Sequence, residues 1–423
     1  MSTQISEAVK ESSAARLSNG QRAMRYALLA LAVLAIVSAV RVATGADEIT
    51  SSGSIRAALT ATCPILLAAL GGLWAERAGV VNIGLEGQML LGTWGAAYCA
   101  YHFGPYQGLL GGIAFGALGG LLHALATVTF GVDHIVSGVA LNVIALGLTT
   151  FLAEAFFTNL NSQYGRGGPR QLTGLQNPDL ITIPGVSDGL VNLNQKHWFL
   201  ISDIAGVLAA LTTRVSVVTI LVFVLVVVTA LVLWRTTFGL RLRSCGENPQ
   251  AAESLGVNVI RHKYAAVVAS GAFAGLGGAY LALVSSPGFG VNQTGGRGYI
   301  GLAAMIFGNW RPGGVLLGSG LFGYTDSLRL RDPSTVHALL LLIAIGLAAL
   351  AFGRFKSGNT RGAAIIGAFA AIFVVWFLVT DTVPREFTSM TPYLLTLLVL
   401  AFASQRLRMP KADGQVYRKG SAG

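Results

Sequence analysis

Charge is what this chain has least of: Asp, Glu, Lys and Arg make up 11% of its 423 residues, against 53% hydrophobic ones. Soluble domains carry about 25% charged residues, so most of this chain belongs in lipid rather than water. Cysteine is nearly absent as well. Cys63 and Cys99 lie in apolar runs and Cys245 in a basic loop, with no C-x-x-C pair, which leaves no disulfide framework or thiolate metal site. They read as small buried hydrophobes. No G-K dipeptide occurs anywhere, so the phosphate-cradling loop G-x-x-x-x-G-K-S/T is missing and ATP hydrolysis is not expected of this chain. H-E-x-x-H is missing too. His123, Asp133 and His134 make no matching ligand set, and the last two read as a solvated turn, so neither a metal nor a cofactor is expected.

The charge that is present has a pattern. The formal net charge is +11, and more than half of the 29 Lys and Arg residues fall in residues 1–25, 235–263, 353–361 and 405–423. Basic clusters beside apolar spans mark cytoplasmic loops and tails, and this accounts for the positive charge without nucleic acid. The apolar runs read as helices, because lipid offers the backbone no other partner. The first, residues 27–40, reaches membrane thickness if Arg25 and Arg41 snorkel. Further runs cover residues 57–75, 88–101, 109–130, 135–157, 215–234, 264–284, 335–352, 363–380 and 392–404.

Starting inside, six crossings bring residues 235–263 back to the cytoplasm and leave the polar stretch 158–203 outside. Residues 299–324 keep the remaining basic segments inside only as two half-length helices broken at 308–314. The expectation is an all-α integral membrane protein of about ten transmembrane helices with a broken or re-entrant segment near residues 300–324. A cytoplasmic tail (1–23) precedes a transmembrane domain (24–404), which holds an external loop (158–203) and a cytoplasmic loop (235–263). A basic cytoplasmic tail (405–423) follows.

One stretch interrupts the apolar text: ERAGVVNIGLEGQMLLG, residues 76–92. Its glycines allow bends and close helix approach. Asn82, Glu86 and Gln88 offer polar groups where the chain leaves regular helix, and a polar or ionisable group at membrane depth is a functional candidate. Two readings stay open. Glu86 lines a gate or pathway, or it pairs with Arg77 or caps a helix while Glu76 and Arg77 sit at the surface. Asn142 and Asn309 join the pathway candidates, and His123 and Glu154 carry weaker claims.

A second stretch, SCGENPQAAESLGVNVIRHK, reads as a helix of two turns. Asn248 caps it, Pro249 suits its first position and Gly256 the left-handed residue beyond its end. Ala251, Ala252 and Leu255 give it a small apolar face, with Glu253 beside them. So short a helix needs a partner surface to hold it, either its own bundle or another chain.

The stretch 76–92, together with GENPQAAESLGVNV, ASGAFAGLGGAYLAL and GGRGYIGLAAMIFGNWRPGG in that order, resembles permease subunits of ATP-binding-cassette importers. The likeness is to the branched-chain amino acid and simple-sugar group, most closely its nucleoside-type branch, over residues 57–323. It implies that the short helix from Asn248 to Gly256 docks on a separate ATPase subunit and passes its movement to the membrane domain. It also implies an extracytoplasmic solute-binding protein and a second permease, here expected to be a different related chain. Together with the membrane lipids these are the expected partners, in a bacterial plasma membrane with both termini cytoplasmic. Nucleosides are the implied solutes, with a pentose or hexose as the alternative. The uncharged candidates Asn82, Gln88, Asn142 and Asn309 suit a neutral, hydroxyl-rich or amide-bearing solute. An ion-coupled secondary transporter is the rival from another class; it requires Glu86, Glu154 or Asp326 to titrate or bind Na⁺ during transport.

Overall fold

The computed structural model describes residues 19–164, 170–328, 333–384, 386–387, 390 and 407–420. Its helices are α1 (Asn19–Thr44), α2 (Ser52–Arg77), α3 (Leu85–Phe103), α4 (Pro105–Ala124), α5 (His134–Tyr164), α6 (Val186–Asn194) and α7 (Ile201–Thr212). There follow α8 (Val217–Arg235), α9 (Thr237–Glu247), α10 (Pro249–Ser254), α11 (Val259–Tyr280), α12 (Arg297–Phe307), α13 (Pro312–Ser327), α14 (Pro333–Lys356) and α15 (Thr360–Val379). Four two-residue strands form two small antiparallel pairs: β1 (Leu172–Thr173) with β4 (Gly288–Phe289), and β2 (Leu180–Ile181) with β3 (Val215–Ser216). Among the described residues, seven helices are long and apolar enough to cross a membrane: α2, α4, α5, α8, α11, α14 and α15. The all-α polytopic expectation holds; the last expected span, 392–404, lies outside the described residues.

The chain divides into two compact units. One comprises residues 1–54, 185–209 and 332–383. Its α14 and α15 form a hairpin, in which the His337 ring stacks on Phe377 at 4.6 Å and bonds the Phe377 carbonyl at 3.0 Å. Arg41 does not snorkel. It is 2% exposed, with Nη1 2.9 Å from Asp47 Oδ1 and Nε 3.0 Å from Asp203 Oδ1. It also donates to the His197 and Trp198 carbonyls. A guanidinium surrounded by carboxylates and carbonyls can stay buried, because ion pairs with Asp47 and Asp203 meet its charge and both Nη atoms donate hydrogen bonds.

The second unit comprises residues 55–184, 210–331 and 384–423, and holds every feature of the candidate site. At its centre α3, α4 and α11 touch backbone to backbone. A Cβ at Gly116, Gly271 or Gly275 would overlap the facing helix, so these glycines set the spacing. Cys63, Leu66, Leu70, Trp94, Phe157, Tyr280 and Phe322 fill the core around them.

The stretch 158–203 is less open than its polar composition suggests. Helix α5 continues to Tyr164, and from residue 170 on β1, β2, α6 and the start of α7 follow. Short elements of this kind satisfy backbone groups locally without enough apolar residues to register as spans. The break in 299–324 is present: α12 and α13 are separate helices, and Asn309 (φ 53°) and Trp310 (φ 51°) turn the chain between them in the left-handed region.

Candidate functional site

Between α2 and α3 the chain leaves the helix for residues 78–84. Peptide groups freed inside a membrane bundle need other partners, and long polar side chains reach in to supply them. The buried Lys263 Nζ donates to the Gly79 carbonyl at 3.0 Å. The Val81 amide donates to His134 Nδ1 at 3.2 Å, and the Val81 carbonyl lies 3.0 Å from His123 Nε2. Asn142 Nδ2 donates to the Ile83 carbonyl at 3.0 Å. These contacts fix His134 Nδ1 as an acceptor and His123 Nε2 as the protonated nitrogen, with His123 Nδ1 left to Ser137 Oγ at 2.9 Å. His134 is therefore no solvated turn residue: it is 3% exposed, while its neighbour Asp133 caps α5 through the Ile135 and Val136 amides.

Four of the five pathway candidates gather at this turn. Asn82 and Gln88, both fully buried, face each other: Asn82 Nδ2 donates to Gln88 Oε1 at 2.9 Å and to Ser270 Oγ at 2.8 Å, and Gln88 Nε2 returns a bond to Asn82 Oδ1. Besides holding Ile83, Asn142 accepts from the Gly87 amide at 2.7 Å and donates to the Tyr299 hydroxyl at 3.0 Å. Glu86 lies in the first turn of α3, and its carboxylate accepts from Thr294 Oγ1 (2.5 Å), Gly296 N (2.8 Å) and Gly298 N (2.7 Å).

The carboxylate thus caps the N-terminus of α12 from a position in the first turn of α3, and free amides and the helix dipole at such termini favour negative charge. Of the readings left open for Glu86, the contacts are those of a cap, and its partner is α12 rather than Arg77. A Cβ on Gly298 would sit 2.6 Å from the Glu86 backbone, so only glycine permits this approach. Next to it Arg297 pairs with Asp326 at 2.7 Å.

Asn309 lies elsewhere. It forms the turn between α12 and α13, and its Oδ1 accepts from the Arg408 amide at 2.7 Å. This second break is pinned to the end of α2. Trp310 Nε1 donates to Glu76 Oε2 at 2.6 Å, and Arg77 donates twice to the Trp310 carbonyl, at 2.6 and 3.0 Å. Glu76, 4% exposed, is no surface residue. Both carboxylate oxygens of Asp413 are buried beside it. Burial pushes Asp413 up to about 7, although Lys263 and Arg77 pull it the other way.

The family model for the branched-chain amino acid transport system permease component matches residues 54–345, which contain both breaks. The chain belongs to this permease family. Among its relatives are the nucleoside ABC transporter permease protein NupC of Lactococcus lactis subsp. cremoris, 34% identical over 84% of this chain and 93% of that protein, and the guanosine ABC transporter permease protein NupQ of Bacillus subtilis, 34% identical over 86% and 96%. A putative glucose ABC transporter permease protein, TsgC13 of Haloferax volcanii, is 32% identical over 87% and 98%. No solved structure matches the chain.

This permease forms its short helix as its sequence signals. In α10, Asn248 Oδ1 accepts from the Ala251 amide at 2.9 Å, Pro249 takes the first position, and Gly256 adopts φ 80° past the end. Its apolar residues divide, however. Ala252 packs inward with Cys245 and Val259, whereas Ala251 is exposed and Leu255 stands 84% exposed. Ser270, Thr294, Tyr299 and Lys263 complete the polar contacts and escaped sequence reading. Each is a common residue in or beside an apolar helix, and only the fold brings it to the turn.

Proposed function

We propose that this permease forms the translocation pathway of an ATP-driven nucleoside importer, with ATP hydrolysed on a separate subunit that docks on α10. The resemblance to nucleoside and guanosine permeases over nearly their full length supports the solute class. The observation that carries the reading is the occupied N-terminus of α12. Broken helices in transporters commonly aim such termini at an anionic solute; here Glu86 already fills that of α12, which suits a neutral solute. Asn82, Glu86, Gln88 and Asn142 form the polar hub that holds the gate between two bundle arrangements, and Asn309 sets the second hinge. The exposed Leu255, on a helix capped at both ends, supplies an apolar knob for the ATPase groove, flanked by Glu253.

In this reading both termini and residues 235–263 face the cytoplasm of a bacterial cell, and residues 158–203 face outward towards a solute-binding protein. A second, related permease chain completes the pathway. An ion-coupled mechanism has less support: Asp326 is paired with Arg297, Glu154 with Arg170 at 2.9 Å, and Glu86 is held by three donors. The test is purification of the tagged chain with its native operon in mild detergent, followed by mass spectrometry and ATPase assay with guanosine or glucose. A stoichiometric Walker-motif ATPase stimulated by guanosine supports the proposal. Stimulation by glucose alone moves it to the sugar branch that the Haloferax relative suggests, and a chain that purifies alone and moves solute down an ion gradient overturns it.

A further inference from the structure

The described C-terminal segment is no free basic tail. Its backbone is tied at two points: the Arg408 amide to Asn309 Oδ1 in the turn between α12 and α13, and the Ala412 amide to the Gly246 carbonyl at 2.8 Å, at the end of α9. Between and beyond these ties its side chains enter the bundle. Ala412 is 4% exposed, and its carbonyl lies so close to Gly79 that a Cβ there would approach within 3.1 Å. The carboxylate oxygens of Asp413 are buried between Glu76 and Lys263, the residue that holds the Gly79 carbonyl. Tyr417 packs on the cluster of Cys245, Ala252 and Val259, with its hydroxyl facing the Glu253 carboxylate.

One ten-residue segment therefore touches both helix breaks and α10. Helix α10 itself has little else to hold it: it is six residues long and contributes Pro249 and Ala252 as its buried residues. A helix of under two turns does not carry force or hold its angle unaided. The segment that braces it is the same one that reaches residues 79–81 and 309.

We infer that residues 408–417 are an intramolecular strap that couples the position of α10 to the two helix breaks, with Tyr417 as the positioning residue at the α10 end. This rests on the proposed importer mechanism for its purpose, but the mechanical link is a property of the chain alone. Movement of α10 then reaches the 78–84 turn by two routes, through α9 to the contact of Gly246 with Arg77 and Gly79, and through the strap to Gly79 and Asn309.

Two readouts test it with Tyr417→Ala and Tyr417→Phe. The first is amide exchange on the purified full-length chain in nanodiscs. Tyr417→Ala is expected to raise exchange about tenfold, the scale of one hydrogen bond with some apolar contact, in α10 and also in residues 79–82, while α11 keeps its protection. Tyr417→Phe keeps the ring contact and restores most of the protection. A change confined to residues 415–419 overturns the strap, and so does equal loosening of the whole bundle. The second readout is guanosine delivered per ATP hydrolysed by the copurified transporter in proteoliposomes. The strap predicts that Tyr417→Ala at least halves this ratio with the ATPase still bound stoichiometrically; an unchanged ratio overturns its coupling role. A wild-type complex that fails to take up guanosine counts against the proposed solute, and the exchange experiment still decides the strap.

Discussion

Removing the Glu86 carboxylate perturbs the site at the point where the most bonds converge. Glu86→Ala strips the acceptor from Thr294 Oγ1 and from the Gly296 and Gly298 amides, at a group 5% exposed. A hydrogen bond to a charged group is worth about 1.5–3 kcal/mol net, and each buried donor left alone costs about 1–3 kcal/mol. These values do not add fully, because the N-terminus of α12 can relax and admit water. A loss of about 3–5 kcal/mol is the expected scale for three neutral donors left without their buried acceptor, at about 1–3 kcal/mol each with partial relaxation. At 1.4 kcal/mol per tenfold, that raises local opening at Gly296–Tyr299 by at least about a hundredfold. Hydrogen exchange at these amides reads the opening directly, and solute uptake in membrane vesicles reads its consequence. Glu86→Gln keeps one carbonyl acceptor and is expected to lie between wild type and Glu86→Ala. The expected outcome for Glu86→Ala is normal insertion, fast exchange at the start of α12 and impaired uptake. Wild-type exchange would refute the capping account, and wild-type uptake would remove Glu86 from the mechanism.

Three further outcomes follow from the same geometry. Gly275→Val drives a branched side chain into the Gly112 backbone, an overpacking that costs about 1–3 kcal/mol or more, and is expected to reduce monodisperse protein in size-exclusion chromatography; Gly313→Ala, which meets open space, serves as the neutral control. Asn142→Ala leaves the Gly87 amide and Ile83 carbonyl without their partner, at about 1–3 kcal/mol for each buried group, and is expected to lower the thermal midpoint in detergent; an unchanged midpoint contradicts the bonding scheme. Because the docked strap raises Asp413 to about 7, the docked state binds its proton more tightly than the released one. Strap protection, corrected for intrinsic exchange, is therefore expected to fall as pH rises from the ordinary carboxylate range to about 7 and then level off, with Asp413→Asn showing a flat profile.

The helical membrane fold was written in composition and run length, because lipid leaves the backbone few alternatives. The break after α12 was legible through a charge argument and two glycines rather than through any local helix signal. The cap of α10 was legible residue by residue, because Asn, Pro and Gly act at fixed offsets along one short segment. What eluded sequence was long-range pairing. Arg41 looked like a snorkelling residue until Asp203, far along the chain, came to meet it. Asn82, Gln88 and Asn142 were found as polar islands in apolar text, but their closure on one another, on Ser270 and on Tyr299 depends on helix packing. Nor does the composition of residues 405–423, basic and polar, announce that Ala412 and the carboxylate oxygens of Asp413 are buried.

The most direct test of the account is guanosine accumulation by the copurified transporter in proteoliposomes, with and without ATP and without any ion gradient. The account predicts uptake that requires ATP and is lost when Leu255→Asp prevents the ATPase from staying bound. Uptake that proceeds without ATP, or a Leu255→Asp complex that retains both its ATPase and its transport, would contradict it.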